Sequence, residues 1–285
     1  MKYTLGLYEK AMPNSLSIPQ KLMAVKECGF DAMELSIDET DEKLARLDWD
    51  EHERDQIRTA CRQSDVMIST ICLSAHRRYS LGSHDGQIRE LSIDILRKTI
   101  ILARDLGIRI IQLAGYDVYY ETGDAHTRQW FRENLKQCVE IAAAYGVVLG
   151  FETMETSFMD NISKAMRYVN EVCMPYLGVY PDLGNLTNAC EMYGDDVHAE
   201  IMAGRGHLLA MHLKETVPGQ YRDMQFGTGH VEFAKGIKAA LSVGVRLFVA
   251  ECWYAGENEW RDTLKKANAF MRTNFEIAQR DLNTL

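Results

Sequence analysis

The chain has 285 residues, 46% of them hydrophobic, and a formal net charge of −9. That acidity argues against a nucleic-acid binder, which needs a basic face. No apolar run approaches the ~20 residues of a membrane span. Seven cysteines lie scattered without a Cys-x-x-Cys pair, and read as reduced thiols, not as a disulfide frame or a zinc knuckle. With five prolines and no Ser/Gly-rich tract no linker is visible, so one domain over 1–285 is expected. The N-terminal MKYTLGLYEK enters a strand pattern with no signal-peptide core, which points to the cytoplasm.

Taken in order, Tyr3–Tyr8 is a short first strand. A helix over Ile18–Cys28 has Pro19 near its start and Gly29 as its stop. Strand two is Ala32–Ile37, ending in the acidic loop DETDEK, and a charged amphipathic helix spans Asp50–Ser64. Strand three, Val66–Leu73, exits through SAHRRYSLGS into a long helix from about Asp85 to Leu106. Strand four is Ile108–Leu113, and the helix after it is Thr127–Tyr145, stopped by Gly146. Strand five, in VVLGFETME, reads as a buried parallel strand apolar on both faces. The helix Ile162–Cys173, strand six at Leu177–Tyr180 and the helix Asp195–Ala203 come next. Strand seven is His207–Leu213, the helix Val231–Val243 stops at Gly244, strand eight is Leu247–Ala250, and a helix over Glu259–Arg280 ends the pattern. Strands and helices alternate eight times, with crossovers long enough for a parallel sheet. That pattern at this length predicts an α/β fold, the (β/α)8 TIM barrel. A doubly wound sheet stands second, because no glycine-rich phosphate turn follows strand one.

In such a barrel, functional groups gather where the strands end. Strand five ends in Glu152, strand six leads into Asp182, strand seven holds His212, and strand eight leads into Glu251. Carboxylates with one imidazole suit a divalent metal such as zinc, manganese, cobalt or magnesium. Each residue has an ordinary reading alone. Asp182 in PDLGN fits a turn, His212 a satisfied core histidine, and Glu251 a partner for Lys214. Their recurrence on four successive strand ends is what these readings leave unexplained. After strand three, His76, Arg77 and Arg78 form a basic run beside Ser74, Ser80 and Ser83, just before a helix. That is either a phosphate site or a solvated basic turn. Tyr8, Tyr116, Tyr119, Tyr120 and Trp253 also fall at or past strand ends, as a platform for a sugar's apolar face or as a roof.

LGLYEKAM, SIDETDEKLARLDW, CLSAHRRYSLGS, GIRIIQLAGYDVYY and YPDLGNL together resemble the L-ribulose-5-phosphate 3-epimerases. These are also called L-xylulose-5-phosphate 3-epimerases, and they serve bacterial L-ascorbate and pentulose degradation within the xylose isomerase-like barrels. The resemblance spans nearly the whole chain. It implies one divalent ion, with zinc, manganese or cobalt favoured, held by Glu152, Asp182, His212 and Glu251. It implies a small phosphosugar substrate and a homodimer. The implied chemistry inverts C3 of a 2-ketose 5-phosphate through a cis-enediolate, with Glu152 and Glu251 as the acid/base pair. Ser74, His76, Arg77, Arg78, Tyr116, Lys214 and Trp253 are then expected around substrate and phosphate. Epimerases of free ketoses carry a histidine and a glutamate where this chain has Asn185 and Phe158, which turns the reading toward phosphosugars. An aldose–ketose isomerase is the nearest rival chemistry. The stretch 188–196 reads as a surface insertion.

Overall fold

A computed structural model describes residues 2–283. Its strands and helices are, in order, β1 (Thr4–Tyr8), α1 (Ile18–Glu27), β2 (Ala32–Ile37), α2 (Asp41–Leu44), α3 (Glu51–Ser64), β3 (Met67–Leu73), α4 (Gly86–Leu106), β4 (Ile110–Ala114), α5 (Ala125–Tyr145), β5 (Val148–Glu152), α6 (Ile162–Val172), β6 (Leu177–Val179), α7 (Leu183–Tyr193), α8 (Val197–Ala203), β7 (Met211–Leu213), α9 (Phe233–Ser242), β8 (Leu247–Ala250) and α10 (Trp260–Asn283). The strands are parallel and ordered β6-β5-β4-β3-β2-β1-β8-β7. Parallel bridges between Val179 and Leu208 and between Asp182 and His212 join the two ends of that sheet. The result is a closed (β/α)8 barrel, as the alternation predicts. None of the described helices is long and apolar enough to cross a membrane.

Local chemistry explains the boundaries. Ser17 and Gln20 form a capping box at the start of α1, as Asp50 and Glu53 do for α3 and Asp124 and Thr127 for α5. Gly107 and Gly146, both left-handed, end α4 and α5. Along each strand side chains alternate between two faces. Leu5, Leu7, Met33, Leu35, Ile71, Leu113, Leu149, Phe151 and Phe248 belong to the large core under the helices. Tyr8, Cys72, Tyr180, Ala210 and Val249 form a separate small cluster inside the barrel. Strand five faces the helices with Leu149 and Phe151, and its other face runs Val148, Gly150, Glu152, so only its start is apolar on both sides. The stretch 188–196, expected at the surface, is so only from Glu191 to Asp196. Residues 188–193 complete α7, and Asn188 is buried, its Oδ1 2.8 Å from His230 Nε2. The DETDEK loop likewise contains α2, capped by Thr40.

One buried ion cluster ties down the loops after β1 and β2. Glu9 accepts from Lys21 and Lys43 Nζ at 2.8 Å each, and from Arg46 at 2.6 and 2.7 Å. It also accepts from the Ser36 amide at 2.9 Å. Burial opposes the Glu9 carboxylate, but Arg46, Lys21 and Lys43 outweigh it and hold its pKa well below the usual range. Lys21 is pulled below its own range, chiefly by burial, so the favourable linkage rests on Glu9. A depressed carboxylate contributes stability above its unfolded pKa of about 4.3 and loses it as pH falls toward the folded value. Glu9→Gln strands three buried cations, and breaking a buried pair costs about 3–5 kcal/mol. Urea unfolding at pH 7 should show that loss, and the variant's stability should fall less steeply on acidification below about pH 4.3. An unchanged urea midpoint would show that the cluster contributes no stability.

Candidate active site

The four strand-end residues meet at the carboxyl end of the barrel. Glu152, Asp182, His212 and Glu251 are all buried, and one ligand atom from each lies within 4.8 Å of every other. His212 Nδ1 stands 3.2 Å from Glu152 Oε1 and 3.4 Å from Glu251 Oε2. Asp182 is the cap of α7, its Oδ1 accepting from the Asn185 amide at 2.6 Å. The turn reading of Asp182 is thus half of the story, since one oxygen caps a helix and the other points free. One loop and the first turn of α7 press against neighbouring backbone with no room for a side chain. A Cβ on Gly115 would lie 2.5 Å from the Glu152 carbonyl oxygen, and one on Gly184 would lie 2.6 Å from that of Lys214.

The electrostatics of this group are unbalanced. Burial, then Glu251, push Glu152 upward. Burial raises Asp182 to about 8, with Lys214 opposing. Burial also opposes the Glu251 carboxylate, but Lys214 and His212 hold it below the usual range. Lys214 Nζ is 3.5 Å from both Asp182 Oδ1 and Glu251 Oε2. Even so, Asp182 Oδ2 and Glu251 Oε2 are buried with no hydrogen-bond partner. Unpaired buried oxygens are costly, and three carboxylates around one point repel without a cation among them. Two ligands about 2.1 Å from a shared ion stand at most about 4.2 Å apart, so the widest pair needs to close by under ~1 Å. The donor set therefore fits one divalent ion.

Above the ligands lies a small cavity of about 50 Å³, lined by Tyr8, Lys10, Cys72, Ser74, Arg77 and others including Lys214, Arg222 and Trp253. A larger groove of about 660 Å³ lies against α7, α8, α9 and α10 and includes none of the four ligands. Of the expected phosphate residues, Ser74 and Arg77 line the cavity. Arg77 packs over Tyr119 and Tyr116 at 5.0 and 6.0 Å, and its Nε has no hydrogen-bond partner. His76 and Arg78 are corrections to the expected group. His76 is buried against the Ser92 carbonyl at 3.1 Å, and burial pushes its pKa down to about 4, which leaves it neutral. Arg78 is exposed and packs over Tyr79. The helix start expected to help bind phosphate is already capped by Asp85. Tyr116 supports the site indirectly, donating to Glu155 beneath Arg77. Trp253 covers Lys214 and Arg222 at 5.9 and 5.7 Å.

Other residues at the site escaped the sequence reading. Gln112 donates from Nε2 to Glu152 Oε2. Glu34, fully buried on β2, reaches His212 from below. Both are polar residues inside apolar strands, and that break in pattern was a usable signal. Lys10 and Arg222 sit in loops and gave no such signal; Lys10 is held by Asp38, and Arg222 is 4.0 Å from Glu155.

The model of the xylose isomerase-like TIM barrel family matches residues 22–274. SgbU of Escherichia coli (strain K12) is 47% identical over 258 residues, which is 88% of this chain and 89% of its own. UlaE of Escherichia coli O157:H7, an L-ribulose-5-phosphate 3-epimerase, is 44% identical over 231 residues, or 81% of this chain and 80% of its own. Among solved structures, an L-ribulose 3-epimerase superposes with a TM-score of 0.79 at 19% identity, covering 100% of this chain and 98% of that one. At that identity the likeness speaks for the fold alone. The sequence relatives go further: the chain belongs to the xylose isomerase-like TIM barrel family, among the L-ribulose-5-phosphate 3-epimerases, and is a carbohydrate epimerase.

Proposed function

We propose that the chain inverts C3 of a ketopentose 5-phosphate, interconverting L-xylulose 5-phosphate and L-ribulose 5-phosphate, with one zinc, manganese or cobalt ion in the four-ligand group. The observation that carries this reading is the approach of Glu152 and Glu251 to one point, 3.2 and 3.4 Å from His212 Nδ1. UlaE, 44% identical, is named for this reaction.

The C3 hydrogen of such a sugar is acidified by the C2 carbonyl beside it. A divalent ion held by Glu152, Asp182, His212 and Glu251 would supply Lewis acidity toward the sugar oxygens. The side chains do the rest. One glutamate removes the C3 proton from its face, leaving a planar enediolate in the sugar. The other returns a proton to the opposite face, and the configuration inverts. Gln112 holds the second oxygen of Glu152 and so fixes the plane of that carboxylate. Asp182, tied to the start of α7, and His212 hold still while protons move. Lys214 is kept charged: burial opposes this, but Asp182, Glu251 and Glu152 outweigh it. Its ammonium can donate to a sugar oxygen.

Lys10, Arg77 and Arg222 are the cations lining the cavity above Lys214, and in this reading they take the phosphate.

Three outcomes are expected. Protein stripped of divalent ions should lose turnover and regain it with zinc, manganese or cobalt; full activity in verified metal-free protein would end the metal reading. Arg77→Ala removes a charge-assisted contact worth roughly 1.5–3 kcal/mol, so kcat/KM should fall about ten- to hundredfold with the phosphosugar. It should change little with free L-xylulose, and Arg78→Ala should leave both alone. Equal losses for the two sugars would move the phosphate elsewhere. Finally, Glu152→Gln and Glu251→Gln should each stop epimerisation in both directions. In heavy water each variant should still exchange the C3 hydrogen of one epimer, and the two should choose opposite epimers. Metal content is measured alongside. If both variants keep their metal and exchange the same epimer, one base serves both faces and the two-glutamate pair is wrong.

A further inference from the structure

Glu34 is a buried carboxylate beside the ligand group that this chemistry leaves unused. It is fully buried near the middle of β2, inside the barrel and under the ligand group. A carboxylate there is costly unless its oxygens are satisfied. Glu34 Oε2 is: it accepts from Thr70 Oγ1 at 2.7 Å and from Tyr180 OH at 3.0 Å. Its other oxygen, Oε1, lies 2.7 Å from His212 Nε2. The opposite nitrogen of the same ring, Nδ1, faces Glu152 and Glu251. The ring is held in place as well, with Tyr180 packed against it at 4.8 Å between centroids.

A neutral imidazole carries one N–H and one lone pair. With the hydrogen on Nδ1, the Nε2 lone pair would face a carboxylate at 2.7 Å, lone pair against lone pair. With the hydrogen on Nε2, it bonds to Glu34 and leaves the Nδ1 lone pair facing Glu152 Oε1 at 3.2 Å and Glu251 Oε2 at 3.4 Å, an arrangement that a cation shared by these atoms would relieve. We propose that Glu34 is a positioning residue for the metal centre: by accepting the Nε2 hydrogen of His212, it fixes the tautomer whose Nδ1 can bind a divalent ion. The proposal rests on the reading that the four-residue group holds such an ion. It also assigns the Thr70 and Tyr180 hydroxyls to holding Glu34 itself.

Zinc affinity of metal-stripped, full-length protein, measured by competition with a chelating dye, tests this apart from activity. Loss of such an outer partner typically weakens metal binding about 10–100-fold, and Glu34→Gln, equal in size but uncharged, should show that loss. Tyr180→Phe keeps the carboxylate and its bond to His212, so its zinc affinity should stay within a few-fold of wild type even where it lowers stability. A purely structural Glu34 predicts that the two variants track stability alike. In zinc-loaded wild type, 15N NMR of the histidine ring should find the proton on Nε2 and the metal on Nδ1; this measurement stands even if Glu34→Gln fails to fold. A proton on Nδ1, or a Glu34→Gln affinity within about twofold of wild type, overturns the proposal. Wild type that binds no divalent ion overturns the metal reading and this proposal with it, and is distinguishable because it shows before any variant is made.

Discussion

Four acidic or imidazole side chains drawn to one buried point are the constraint around which this barrel is arranged. The repulsion among the three carboxylates would be relieved by moving apart, and the fold does not let them. Asp182 is locked by its bond to the first turn of α7, with its backbone amide held by Thr153 at 3.0 Å. The bridge between Asp182 and His212 is one of the two contacts that close β6 against β7. Sheet closure and ligand geometry thus share the same residues at this seam. Gly115 lets the loop after β4 pack directly on the Glu152 backbone, and Gly184 lets the first turn of α7 pack directly on that of Lys214, which further limits how far the group can relax.

Much of this was legible because a closed barrel obeys a period of two. The helix-facing positions of β2 are Met33, Leu35 and Ile37, and the inward ones are Glu34 and Ser36. On β4 the inward residues include Gln112 and Ala114, in step with Glu152 across β5. Attention to strand ends found the carboxylates there but passed over Glu34 and Gln112, which sit earlier on the inward face of β2 and β4. Counting in twos back from Glu152 or across from Tyr8, whose register partner is Glu34, would have placed both. The four ligands were found because each breaks an apolar run at its end, where a barrel strand meets solvent and chemistry.

The loops were less legible, for a physical reason. A basic run on a loop does not say which side chains turn inward. Ser74–Arg77 forms a single 3-10 turn, which sends neighbouring side chains in different directions. His76 goes into the wall, Arg77 into the cavity and Arg78 to solvent. Composition drew attention to the right loop, but only its backbone could divide the three. Lys10 and Arg222 are further from reach, since they come to the cavity from the loops after β1 and β7, far apart in sequence.

The placement of charge also bears on how an acidic chain takes an anionic sugar. The floor of the cavity is rich in carboxylates, offset in part by Lys214. Its upper wall carries Lys10, Arg77 and Arg222. A cation at the floor and a phosphate at the wall would each meet the opposite charge, and exchanging their places would leave both facing like charge. The net −9 of the whole chain says nothing of this, because at the Debye length of about 8 Å in physiological salt a ligand in the cavity senses mainly the charges that line it. In the proposed reading, what would orient a phosphosugar is the separation of those charges. That separation is built from the inward face of the strands and from the segments after β1, β3 and β7 that carry Lys10, Arg77 and Arg222.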